Sequence, residues 1–288
     1  MTRAVLFGLL AVGCSRVEDL PPEEDPITPT YGVNAFAYEG IGLDELLAQG
    51  LTGAGVSVCV VDTGIDAAHP AFAHVVDAGR LVWADFTSEA SSDPIDTNGH
   101  GTHVAGIIAM NDTLTGGAPL VDLLIARVFT ASGGADSITI GNAVDWCREQ
   151  DADVISMSLG GLSLPAIGRL LDQDATASEA AVERALDAGI YVVAAAGNTE
   201  VTRDVATPAN VAGVIAVGAL DPTLASKAGF SQSGLNDGPL VGERQDPDRK
   251  PEVSAPGVTI TSAMAPGSQI AFDVPGCGQL YCALDGTS

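Results

Sequence analysis

Residues 56–62 read "VSVCVVD", a short run of mostly apolar, β-branched side chains that ends at an acid. A strand that is apolar on both faces is typical of a buried position in a parallel sheet. Similar runs follow at 121–129, 153–160, 190–198 and 213–220, and stretches with helical spacing lie between them, such as 138–150 and 178–189. The pattern predicts an α/β fold, a doubly wound and mostly parallel sheet with helices on both faces.

The composition predicts one main globular domain with an acidic surface. The chain has 288 residues, 46% of them hydrophobic, with 37 Asp plus Glu against 12 Lys plus Arg, so its formal charge is −25. Such a surface repels phosphate backbones, and we expect no nucleic acid partner. The charge is compatible with solubility or adaptation to salt, and also with binding of cations or basic ligands.

The first 14 residues are interpreted as an export signal. The apolar run from Ala4 to Val12 is too short to span a membrane, and "AVGC" is similar to a bacterial lipoprotein box with Cys14 as the lipidated residue. An ordinary signal peptide, or a cytoplasmic protein with an apolar start, are the alternatives. Residues 15–30 predict an acidic, proline-rich tether, and residues 31–288 the folded domain. We therefore expect a secreted protein, or one anchored in the bacterial envelope through lipid on Cys14.

The other four cysteines suggest two different roles. Cys59 lies in an apolar run and Cys147 in a stretch with helical spacing, and both are expected to be packed thiols. Cys277 and Cys282 lie close together in "PGCGQLYC", which indicates a local disulfide in an exported protein. A zinc site is the weaker interpretation because four-ligand spacing is missing, so no metal ligands are predicted.

Four polar signals stand where apolar runs end or helices begin: Asp62, His100, Ser158 and Asn198. Parallel α/β sheets gather such positions at the carboxyl edge of their strands. Taken alone, Asp62 is compatible with a helix cap and Asn198 with a turn. In "NGHGTHVAG" the two histidines are three apart, whereas a zinc protease helix needs a spacing of four and a Glu, so one of the two is better interpreted as a general base.

The motifs "VVDTGID", "NGHGTHVAG", "SMSLGG", "AAAGN" and "GTS", in this order between Tyr31 and Ser288, resemble those of the subtilisin-like serine proteases. The resemblance implies that Asp62 is the orienting acid, His100 the base and Ser288 the nucleophile. It also implies that the Asn198 amide stabilises the oxyanion and that His103 is a packing residue.

The same resemblance implies a substrate cleft for polypeptides. Its edge would be Ser158, Leu159 and Gly160, and one wall of its pocket would be Ala194, Ala195, Ala196 and Gly197, whose small side chains leave room for a large apolar group. The chemistry would need no cofactor. Structural calcium is compatible with the sequence, although "MNDTLTGGAP" is shorter than the corresponding loop of the family, and a monomer is expected.

Members of the family continue past the serine into a buried helix. We therefore expect that the chain is cut at Ser288, and that this species is poorly stable and inactive. A peptide-binding protein on the same fold that lacks catalysis is the main alternative. An esterase of the α/β-hydrolase kind is disfavoured, because its serine lies in G-x-S-x-G and its histidine comes last.

Overall fold

The computed structural model describes residues 27–130, 133–160, 175–199, 205–234, 249–277 and 279–288. The predictions for Cys14 and for the signal segment lie outside these residues. The α-helices described are α1 (Ala35–Ile41), α2 (Leu43–Ala48), α3 (Ala73–Asp77), α4 (His100–Ala109), α5 (Ser137–Glu149), α6 (Ala175–Asp187) and α7 (Gln269–Asp273). The strands described are β1 (Ser57–Asp62), β2 (Leu81–Asp85), β3 (Asp122–Arg127), β4 (Val154–Met157), β5 (Tyr191–Ala195), β6 (Ile215–Leu220), β7 (Val253–Pro256), β8 (Ile260–Ala263) and β9 (Tyr281–Leu284).

The first seven strands form one sheet in the order β2-β3-β1-β4-β5-β6-β7. All neighbouring pairs in this sheet are parallel, whereas β8 and β9 form a separate antiparallel pair. The predicted fold class, a doubly wound and mostly parallel α/β sheet, is confirmed.

Strand β1 shows why its sequence lacks an alternating pattern. Cys59 and Val61 lie in one core, which contains residues of α5 and α6, while Val58 and Val60 lie in a second core with residues of α3 and α4. Both faces of the strand are therefore covered by helices. The chain goes from β1 to β2 and β3 on one side, then crosses to β4 on the other. A crossing of this kind opens a crevice at the carboxyl ends of the strands, where β1 ends at Asp62.

The prediction for Cys59 and Cys147 is wrong, because the two residues form a disulfide that joins β1 to α5. Both are fully buried, as expected for packed cysteines, but they are 88 residues apart in sequence with Cα atoms only 5.8 Å apart. The sequence does not reveal that α5 crosses the face of β1 at this point. Cys277 and Cys282 also form a disulfide, with their Cα atoms 4.7 Å apart.

Contacts with the folded domain extend to Thr30, one residue before the predicted boundary at Tyr31. Thr30, assigned to the tether, donates its backbone N–H to Thr115 Oγ1, and its carbonyl accepts from the Thr115 N–H, both at 2.9 Å. Within the described ranges, no helix is long and apolar enough to cross a membrane.

Candidate active site

The centre of the site is a contact between Asp62 and His100. Asp62 ends β1 with only 1% of its side chain exposed, and His100 begins α4 with 28% exposed. The imidazole Nδ1 lies 2.8 Å from Asp62 Oδ1 and 3.0 Å from Oδ2. An N–H at Nδ1 can donate to this carboxylate, which leaves Nε2 as the ring nitrogen that can accept a proton.

Neighbouring charges raise the pKa of His100. Burial acts to lower this pKa, but the charge of Asp62, its hydrogen bond to the ring and the charge of Asp96 outweigh the effect of burial. The protonated imidazole is therefore favoured relative to a free histidine.

His103, one turn further along α4, has a different environment. Its side chain is 4% exposed, and Nε2 lies 3.0 Å from the carbonyl oxygen of Cys282. Burial lowers its pKa to about 4, although the contact with that carbonyl acts in the other direction. His103 therefore stays neutral and packs α4 against β9.

Asn198 follows β5 and is oriented by Thr287. Its Oδ1 accepts hydrogen bonds from the backbone N–H and the hydroxyl of Thr287, both at 2.9 Å. The Thr287 hydroxyl also accepts from the Gly197 N–H at 3.0 Å. With Oδ1 held in this way, the Nδ2 donor is the part of the amide that remains for a ligand. Thr287 lies in the "GTS" motif, and no role was predicted for it from the sequence.

Ser288 lies on the same cavity as Asn198. Its Oγ donates to the carbonyl oxygen of Ser158 across 3.4 Å, a long and weak contact. Among the described residues, no hydrogen bond joins Ser288 to His100. The cavity has a volume of about 330 Å³ and is lined by Ser158, Leu159, Gly160, Ala195, Gly197, Asn198, Thr199, Ala206, Gln232, Thr287 and Ser288.

Two of the residues assigned to the pocket wall do not line it. Ala194 and Ala196 are buried in the core on the α5 and α6 side of the sheet, whereas Ala195 and Gly197 face the cavity. Successive side chains along an extended chain point to opposite sides, so a continuous run of wall residues was not to be expected. Thr199, Ala206 and Gln232 were missed because they follow the strand or come from a later segment.

Asp96 is a further acid near the site, and it was not predicted from the sequence. It is 7% exposed and lies four residues before His100, in "DTNGH". An acid shortly before a helix start can cap that helix, and this was the available signal.

Metal ligands were not predicted, and the described part of the chain contains no group of three or more His, Cys, Asp or Glu side chains that could hold a metal ion. In the segment considered for calcium, Asn111 and Thr115 form a β-bridge, and Gly117 donates to the carbonyl of Ile107 at 2.9 Å. The expectation that calcium is compatible with the chain remains a prediction.

A parallel sheet with an Asp–His pair at its carboxyl edge, and with a serine and an asparagine amide on an adjoining cavity, is the architecture of the subtilisin-like class of serine peptidases. The family model of the S8 peptidases, the subtilase family, matches residues 53–288. The chain belongs to the subtilase family.

Individual relatives agree with this assignment. Subtilisin DY of Bacillus licheniformis is 36% identical over 254 residues, which cover 86% of this chain and 77% of that protein. Subtilisin E of Bacillus subtilis (strain 168) is 33% identical over 258 residues, which cover 87% of this chain but only 60% of that protein. A crystal structure of a cold-adapted subtilisin-like serine proteinase superposes with a TM-score of 0.60 at 30% identity, and the match covers 82% of this chain and 71% of that one.

Proposed function

We propose that this protein is an exported serine endopeptidase that cleaves polypeptides through an acyl-enzyme. Asp62 is the orienting acid, His100 the general base, Ser288 the nucleophile and Asn198 the oxyanion donor. The observation that carries this proposal is the Asp62–His100 pair, in which both carboxylate oxygens lie within 3.0 Å of Nδ1. Membership of the subtilase family supports the same activity.

The proposed reaction begins with proton transfer. His100 Nε2 takes the proton of the Ser288 hydroxyl while Oγ bonds to the carbonyl carbon of the scissile peptide. The carbonyl oxygen becomes an oxyanion, and Asn198 Nδ2–H donates to it. In enzymes of this family, removal of one such donor costs about 10²- to 10³-fold in kcat. The C–N bond then breaks, His100 returns the proton to the leaving amine, and water hydrolyses the acyl ester by the same sequence.

The contact between Ser288 and Ser158 is interpreted as a resting state. At 3.4 Å it is weak, so little free energy is lost when Oγ turns toward the imidazole. Catalytic hydrogen bonds are often long before substrate binds. The carbonyl of Ser158 would then be available to the backbone of a substrate strand.

The cavity favours uncharged side chains before the scissile bond. None of its described lining side chains carries a charge, and Leu159, Ala195 and Ala206 contribute apolar surface. A buried charge without a partner would be costly there. This supports preference for a large apolar residue, as expected from the sequence.

Export is supported by the two disulfides, because such bonds persist in oxidising compartments. We propose that the protein acts outside the cytoplasm, secreted or anchored through lipid on Cys14, and that it acts as a monomer. The proposed steps use only side chains and water, so they require no cofactor.

A serine-reactive fluorophosphonate probe tests the proposal on the protein expressed from its complete gene. We expect the probe to label the wild type but not His100→Ala or Ser288→Ala. The matched control is His74→Ala, which should still be labelled, because His74 lies on α3 and its ring contacts the carbonyl oxygen of Pro119. Hydrolysis of a peptide ester should follow the same order. Wild-type protein that is folded but unlabelled, and that still binds peptides, would favour the alternative of a binding protein and overturn the proposal.

A further inference from the structure

Asp96 accepts hydrogen bonds from three segments of the chain: Thr63 after β1, the loop residues Asn98 and Gly99, and Thr102 in α4. Its carboxylate lies in the loop before α4, and none of its contacts is to Asp62 or to the His100 ring. The donors to Oδ1 are Thr63 Oγ1 at 2.9 Å, Asn98 N at 3.1 Å and Gly99 N at 2.8 Å, and those to Oδ2 are Thr102 N and Thr102 Oγ1 at 2.8 and 2.7 Å.

These contacts replace a cap that the sequence of α4 lacks. The residue that precedes the helix is Gly99, with φ +101° and no side chain to bind the first N–H groups. A helix start leaves such groups without intrahelical partners and favours negative charge. Asp96 supplies an acceptor for the Thr102 N–H from outside the helix, so the first turn, which begins with His100, is held by this carboxylate.

Thr63 connects that cap to Asp62. Its backbone N–H donates to Asp62 Oδ1 at 2.7 Å, and its hydroxyl donates to Asp96 and accepts from the Gly101 N–H at 2.8 Å. Thr63 is 6% exposed, so these bonds are protected from water. One residue therefore fixes the segment after the acid and the turn that carries the base relative to each other.

The two segments also approach closely through backbone atoms. A Cβ added at Gly101 would lie 2.2 Å from the carbonyl oxygen of Gly64, which follows Thr63. The space between the segments is thus filled without side chains. The Thr63 hydroxyl bridges this close approach through its two hydrogen bonds, one to Asp96 and one from the Gly101 N–H.

We propose that Thr63 and Asp96 are positioning residues for His100, which hold its imidazole in line with Asp62 and the substrate cleft. The proposal rests on the proposed function of His100 as the base. Asp96 has a second effect, because its charge contributes to the raised pKa of His100. The charged or titratable groups that interact with His100 are Asp62, Asp96 and His103.

The two residues are distinguished by what their substitution removes. Thr63→Val keeps the shape of the side chain and the charge of Asp96, but removes the hydroxyl that joins the two segments. Asp96→Asn keeps an acceptor oxygen but removes the charge, which contributes to the raised pKa of His100. Thr63→Ser keeps the hydroxyl and is the matched control.

Steady-state kinetics with a peptide substrate across pH gives the first test. We expect Thr63→Val to lose about tenfold or more in kcat with little change in KM, because a small misplacement of a base acts on the chemical step. Thr63→Ser, which keeps the hydroxyl, should have a kcat within about twofold of the wild-type value. The rise of kcat/KM with pH should keep its midpoint in Thr63→Val and move to lower pH in Asp96→Asn.

A second readout does not depend on activity. The NMR resonance of the His100 Nδ1 proton reports its bond to Asp62, and its titration reports the pKa of the ring. We expect an altered resonance in Thr63→Val, and a titration midpoint at lower pH in Asp96→Asn. If both variants lose only thermal stability while kcat, pH midpoint and resonance match the wild type, the proposal is overturned. If the wild type hydrolyses nothing but these resonances change as stated, the proposed function fails while the positioning role holds.

Discussion

His100 and His103 lie three residues apart in α4, yet their surroundings shift their pKa values in opposite directions. His100 contacts Asp62 and is partly exposed, whereas His103 is enclosed and faces a backbone carbonyl. A neighbouring carboxylate stabilises the charged ring, and burial without such a partner stabilises the neutral ring. The two side chains differ in their tertiary surroundings: His100 lies against the Asp62 carboxylate, and His103 is buried against the carbonyl of Cys282.

The lowered pKa of His103 predicts a loss of stability in acid. Its pKa is about 4 when folded and 6.5 as a reference, so between these values the unfolded chain binds a proton that the native protein does not. Stability should therefore fall as the pH drops from about 6.5 to about 4, by about 3 kcal/mol in total. His103→Gln removes this group. Urea unfolding gives the free energy of unfolding of both proteins between pH 7 and pH 4.5, and this free energy should decrease less in the variant. An equal decrease in both proteins would contradict the prediction.

At the scale of residues, the sequence predicts the members of the site better than their orientation. Asp62 and His100 are recognisable because one ends an apolar run and the other opens a helix. Asp96 carries only the general signal of an acid before a helix, since its contact with Thr63 comes from a segment 33 residues earlier. Ala194 and Ala196 were misassigned because a run of four small residues does not show which of them face the core.

The elements follow from the pattern of apolar residues more directly than the site does. Strand β1, buried on both faces, and the neighbouring helices fix the layers of the fold. What the pattern does not contain is where a helix crosses the sheet, and for this reason the disulfide between β1 and α5 was missed. Cysteines in apolar surroundings are equally compatible with packed thiols.

This disulfide should stabilise the domain more than the local one does. Cross-linking restricts the unfolded chain, and the effect grows with the length of the closed loop, from about 2 kcal/mol for a separation of 5 to about 4 or 5 kcal/mol for a separation of 88. We expect Cys59→Ala/Cys147→Ala to lose more free energy of unfolding than Cys277→Ala/Cys282→Ala. Denaturant titrations of the two double variants and the wild type provide the comparison. The reverse order would show that the native contacts of the small disulfide outweigh loop length.

The whole molecule carries a formal charge of −25, and this charge opposes compaction. Among the described residues most charged side chains are at least partly exposed. Salt screens the repulsion between such charges over a Debye length that falls from about 30 Å at 0.01 M to about 8 Å at 0.15 M. The net charge follows from the sequence alone and does not depend on the fold.

We expect Tm to rise when NaCl is increased over this range, by about 2–4 °C for each kcal/mol gained. Calorimetry in NaCl and in CaCl₂ at equal ionic strength separates screening from binding, since screening predicts similar effects of the two salts. As a matched control, replacing the exposed acids Asp77 and Glu183 by lysine should reduce the dependence on NaCl. A Tm that is unchanged or lower in NaCl would contradict the expectation.

The pairing of Thr287 with Asn198, which are 89 residues apart in sequence, has a consequence for biosynthesis. During synthesis on the ribosome Asn198 emerges long before Thr287, so its amide has no orienting threonine until then. Contacts between distant parts of a chain form late, because loop closure must come first. The Asn198 amide is therefore oriented only after Thr287 has been synthesised and has packed against it, and the proposed peptidase activity would be deferred until that step.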